Sequence, residues 1–153
     1  MLTYKTISLF PQTFVRLIGM TILEFDHLDV AFEKAYREKQ SKRNKTLRGQ
    51  RPRLRKVGGG RPSKYELRDR LILTLFWMKA RPTYKVLGEL YNINRATASS
   101  IIKEIAPVLH KFQAVDSNYD EYQPKRFYSK QSLLVVYPEI GKLRELNTKG
   151  GKM

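Results

Sequence analysis

The chain contains no cysteine, so neither a disulfide nor a thiolate metal site is open to it. Its two histidines, His27 and His110, stand too far apart in sequence to suggest a zinc site. Long apolar runs are missing too. The greasiest stretch, Leu71 to Met78, is broken by Thr74 and bounded by Arg70 and Lys79, well short of the ~20 residues that cross a bilayer. The opening residues Met1 to Ser8 lack the apolar centre of a secretory signal, and a cytoplasmic, nucleoid-associated protein is expected. Acid is scarce: 14 Asp+Glu stand against 30 Lys+Arg, a formal net charge of +16. That excess points to a polyanion as partner, whether DNA, RNA or an anionic membrane surface. The basic residues lie on no apolar face, which argues against the membrane, and nothing suggests a small-molecule ligand. At 153 residues, 41% hydrophobic and 11% aromatic, the chain has enough apolar matter for one or two small cores.

The most specific stretch runs from Tyr84 to Lys103. Gly88 supplies a small residue where two helices would cross. Asn92, four residues on, is the non-glycine type best suited to a left-handed turn. Ile93 can plug that turn into a core, and Asn94 can cap the helix that follows. Ala98 and Ile101 then face back towards Leu87 and Tyr91. Asn94, Arg95, Ala96, Ser99, Ser100 and Lys103 are left pointing outward on a short, polar, cationic face without a carboxylate. This is the pattern of a helix-turn-helix whose second helix enters a major groove. An ordinary helical hairpin shares the small residue and the turn; the charge of the whole chain separates the two readings. Arg95 is the candidate for a bidentate pair with guanine and Asn94 for one with adenine. Ser99 and Ser100 would reach bases or phosphates, and Lys103 the backbone. Thr83, Tyr84 and Lys85, opening the first helix of the motif, would fix phosphate register.

Around this motif the expected fold is all-α. An N-terminal helical pair occupies residues 1–38: Phe14, Leu17 and Ile18 form a short amphipathic helix stopped by Gly19. Thr21 and Glu24 then make a capping box, with Met20 and Phe25 as a hydrophobic staple, for a helix ending near Glu38. Residues 39–62 read as a flexible basic linker. From Lys39 to Arg61 there are ten basic residues and no acid, including Arg51, Arg53, Arg55, Lys56 and Arg61. The linker would contact phosphates non-specifically, and Gly60-Arg61-Pro62 could enter a narrow minor groove. Residues 63–112 form the three-helix helix-turn-helix domain. Its first helix, capped by Ser63 and running to Lys79, is apolar nearly all round and so buried on several sides. Trp77 belongs to that core rather than to a base stack. Pro107 ends or restarts the recognition helix, with a short helix to Phe112. Residues 113–153 are poorly defined: a loop over Asp116 to Ser129, then Leu133 to Tyr137 as an orphan strand or the end of a helix. Phe127, Tyr128 and the basic linker could also clamp single-stranded RNA, but no recognised RNA motif accompanies them.

With these pieces in order, a resemblance emerges. Pro82-Thr83-Tyr84, Val86-Leu87-Gly88, Leu90 to Asn94, Thr97-Ala98-Ser99 and Pro107-Val108-Leu109 resemble the helix-turn-helix of bacterial insertion-sequence transposases with a DDE catalytic domain, in the group related to Harbinger-like elements. Leu17 to Met20, Glu24-Phe25-Asp26 and a basic segment ending in Gly-Gly-Gly-Arg-Pro are similar to the same proteins. The resemblance covers roughly residues 10–112. It implies DNA at transposon terminal repeats as partner, with a second copy of the chain or a full-length transposase as further candidates. In that family a metal-binding Asp follows a Tyr-Pro-Glu segment. Here Tyr137-Pro138-Glu139 is followed by no Asp at all, so the expectation is a non-catalytic, truncated N-terminal portion without cofactor. Divalent metal would enter only with a catalytic domain supplied elsewhere. A regulator competing with the active enzyme and the non-catalytic half of a two-frame transposase are the alternatives.

Overall fold

The structure, a computed structural model, describes residues 2–50, 63–112 and 126–149. These residues form eight helices and no strand: α1 (Tyr4–Ile7), α2 (Pro11–Ile18), α3 (Ile22–Gln50), α4 (Leu67–Ala80), α5 (Tyr84–Tyr91), α6 (Arg95–Leu109), α7 (Lys130–Val136) and α8 (Glu139–Lys149). The all-α expectation holds. α4 is the axle of the molecule. Leu71 to Trp77 are all buried, so its middle two turns have no face left for solvent. It packs against α2 on one side and α6 on another, while α6 also lies against α3 and α5. One core runs through all of these helices, from Phe14 and Phe25 through Phe76 to Ile105.

The N-terminal region holds three helices where a pair was expected. The extra one, α1, is a single turn; its Ile7 is buried, and the Tyr4 backbone N–H donates to Asp69 Oδ1 of α4 at 2.8 Å. Gly19 ends α2 in the left-handed region at φ 91°. Lys79 lies beside it, and its Nζ donates to the Val15 and Arg16 carbonyls at the end of α2. The capping box at the start of α3 is present in both directions. Thr21 N donates to Glu24 Oε2 at 2.7 Å, and Glu24 N donates to Thr21 Oγ1 at 3.2 Å.

Three expectations need correction, and one left open is settled. α3 does not stop near Glu38 but continues to Gln50, so the first half of the supposed flexible linker is helical; residues 51–62 lie outside the described part. Ser63 does not cap α4. Its hydroxyl closes a local turn with Tyr65 instead, and α4 begins at Leu67 after Glu66. Pro107 neither ends nor restarts α6 but sits within it. It cannot donate to the Lys103 carbonyl one turn back, yet Pro107 is on the exposed side, where water can take that role. Of the two readings of Leu133 to Tyr137, the end of a helix is the one found. α7 is a helix, capped by Ser129 Oγ accepting from Ser132 N at 3.2 Å.

The last two helices belong to the same body. Leu133, Ile140 and Leu143 are buried in the common core. Arg16 of α2 binds the Val136 carbonyl at 2.8 Å and Glu139 at 2.6 Å. Just before α7, Arg126 N donates to the Arg81 carbonyl and Thr83 N donates to the Phe127 carbonyl, each at 2.9 Å. This pins the segment along the turn between α4 and α5.

Candidate nucleic-acid interface

Thr83 opens α5, its hydroxyl accepting from Val86 N at 3.4 Å. Val86, Leu87, Leu90 and Tyr91 are buried and give the helix its inner face. Asn92 halts it in the left-handed conformation, φ 52° and ψ 47°, and the Gly88 carbonyl accepts from both Asn92 N and Ile93 N. Any side chain at Gly88 would bring a Cβ to 2.7 Å from the Ile93 carbonyl oxygen. The turn is therefore so tight that only glycine fits where α5 passes beneath it. Asn94 Oδ1 then accepts from Ala96 N at 3.0 Å and starts α6. Ile93 is half-buried against the core, as a plug should be.

α6 turns Ala98, Ile101, Ile102, Ile105, Ala106, Val108 and Leu109 inward. Asn94, Arg95, Ala96, Ser100 and Lys103 are exposed, and Ser99 is half-buried. Ala96, Ser100 and Lys103 follow one another at helical spacing, with Arg95 and Ser99 alongside. The structure thus brings the expected reading residues onto one surface, from the N-terminal end of α6 to its middle. The Asn94 side-chain oxygen is engaged as the helix cap, so a bidentate pair with adenine would have to share it.

The helix before the turn is placed differently. Lys85 is exposed, but Thr83 is committed through both its hydroxyl and its backbone N–H, and Tyr84 stacks on Trp77 with ring centroids 5.7 Å apart. Trp77 itself is buried. Arg51, Arg53, Arg55, Lys56 and Arg61 lie outside the described residues. Tyr91 is fully buried against Phe76, and burial pushes its phenol far above the usual range, so it is a neutral core residue.

One cluster was not anticipated from the sequence. Glu104, on the flank of α6, accepts from the Tyr36 hydroxyl, from Gln40 Nε2 at 3.2 Å and from Arg70 Nη1 at 3.2 Å. Arg70 also donates to the Tyr36 hydroxyl at 2.9 Å, its guanidinium lying over that ring. α3, α4 and α6 are bolted together at this point. The available signal was the spacing of Tyr36 and Gln40, one turn apart on α3, with Glu104 and Arg70 the opposite charges on two further helices. No group of His, Asp and Glu suited to a metal occurs among the described residues, and none of their helices is long and apolar enough to cross a membrane.

A glycine-tight turn between two short helices, braced by a third and presenting a cationic face, defines a helix-turn-helix domain. Residues 64–111 match the family described as the helix-turn-helix of DDE superfamily endonuclease. That segment, spanning α4 to α6, is similar to the helix-turn-helix that such endonucleases carry. No curated protein and no solved structure matches the chain.

Proposed function

We propose that the chain binds double-stranded DNA sequence-specifically, with α6 as the reading helix and the terminal repeats of a mobile element as the target. The observation that carries this reading is the exposed face of α6, where Arg95, Ser100 and Lys103 stand without an acid from Asn94 to Lys103. The match to the helix-turn-helix of DDE superfamily endonucleases supports the choice of target. In this reading Arg95 pairs with guanine in the major groove. Asn94 and Ser99 add base contacts, and Lys103 and Lys85 hold backbone phosphates. The basic residues from Arg51 to Arg61 add phosphate contacts that carry no sequence information.

The test is selection of a duplex by the full chain from a randomised pool, followed by binding to it and to a scrambled duplex across a salt series. The selected site should outlast the scrambled one as salt rises and should match the ends of the element. Arg95→Ala should cost ~1–3 kcal/mol on the selected duplex and relax preference at one base position, leaving scrambled binding nearly unchanged. Equal binding to both duplexes, lost together with salt, would refute sequence reading.

A further inference from the structure

The basic half of α3 starts beside α6. Tyr36, Gln40 and Arg43 recur at i, i+4 and i+7, and Ser100, Lys103 and Glu104 at i, i+3 and i+4. The two stripes face each other across a half-open groove of about 590 Å³. The groove has a floor and a rim of different character. At the floor, both oxygens of Glu104, its single carboxylate, are occupied by Tyr36, Gln40 and Arg70. At the rim, Lys39, Arg43 and Lys103 are exposed, and no ion pair among the described residues holds them.

An ordinary solvated helix face would intersperse acids. α3 does this one turn earlier, where Arg37 pairs with Glu33 at 2.6 Å. From Lys39 to Gln50 it has no acid at all. Lys39 and Arg43, four apart, repel each other, a cost that an anion between the helices would offset. Ser100 and Lys103 belong at once to this groove and to the outer face of α6.

We infer that the groove seats one backbone phosphodiester of the bound duplex, held by Lys39 and Arg43 of α3 together with Ser100 and Lys103 of α6. This inference rests on the duplex-binding reading above and gives α3 a register-setting role. A phosphate fixed at the flank of α6 decides how far along the groove Arg95 reaches.

The experiment uses the full chain and its selected duplex. Single phosphates are replaced in turn by uncharged methylphosphonates, and the parent is compared with a Lys39→Gln/Arg43→Gln variant. Glutamine keeps helix propensity at both exposed positions, and circular dichroism and melting confirm an unchanged fold. One phosphate beside the site should be sensitive in the parent, with affinity falling about ten-fold, the scale of one charge-assisted hydrogen bond. That position should become markedly less sensitive in the variant, which keeps Ser100 and Lys103, while the log K against log[salt] slope becomes shallower by up to about 1. A Lys5→Gln/Lys142→Gln control removes the same charge from α1 and α8 and should leave the sensitive phosphate in place. If every phosphate affects variant and parent alike, or if the control abolishes the sensitivity equally, the groove is not a phosphate seat and sequence reading by α6 still stands. If the parent selects no duplex, the reading of α6 falls first and the groove with it.

Discussion

Two turns flank α5, and they differ in how far along the chain their bonds reach. Each places a non-glycine residue in the left-handed region, Arg81 at φ 54° before the helix and Asn92 at φ 52° after it. The Asn92 turn closes with its own neighbours: Gly88 accepts its N–H groups, and Asn94 caps the next helix. Asparagine tolerates this conformation at little cost. Arginine has no such advantage. The Arg81 turn has the same local closure, Arg81 N donating to the Trp77 carbonyl at 2.8 Å and Thr83 capping the next helix, but it is also held by Arg126 and Phe127, far along the chain, which bond to the backbone at Arg81 and Thr83. The Asn92 turn is written in adjacent residues alone; the Arg81 turn is completed by bonds to the C-terminal segment.

The largest expected effect tests the local turn. Gly88→Val should destabilise by about 3 kcal/mol, because the clash falls on turn backbone that has nowhere to move. Urea unfolding measures this, and a loss below about 1 kcal/mol would mean that the turn adapts more readily than the 2.7 Å approach implies. Next comes the remote turn. Phe127 is half-buried and packs edge-on to Tyr137 at 6.2 Å. Phe127→Ala should therefore cost about 2 kcal/mol, roughly half the value for a fully buried phenylalanine. Hydrogen exchange should quicken at Thr83 N and Arg126 N and leave Ile93 N protected; exchange rising equally at Ile93 would erase the distinction. The smallest effect compares the two left-handed residues directly. Arg81→Gly should stabilise by about 0.5 kcal/mol, relief of the left-handed strain exceeding the entropy cost of glycine. Asn92→Gly should change melting little. The reverse order would show that Arg81, not Asn92, is the better adapted of the two.

The same contrast explains what could be read in advance. Gly88, Asn92 and Asn94, the buried Ala98 and Ile101, the exposed Arg95 and Lys103, the Thr21–Glu24 box and the stop at Gly19 all act within a turn or two of chain, and each was legible. The length of α3 was not. Its second half has no apolar stripe, so a run of Lys, Gln and Arg resembles a linker, although these residues favour helix and the bolt at Glu104 anchors the start of the run. The Leu133 to Tyr137 run has strand-like composition, but burial of Leu133 and the Ser129 cap make it a helix. The contact between Arg81 and Arg126 left no trace in sequence, since two backbone groups can meet between almost any residues.

The bolt at Glu104 also bears on the thermodynamics of recognition. A helix fastened to α3 and α4 by Tyr36, Gln40 and Arg70, and seated on a buried apolar face, has little conformational entropy left to lose when a ligand arrives. Its association would carry the heat-capacity change of two preformed surfaces meeting, without the large additional term that accompanies coupled folding.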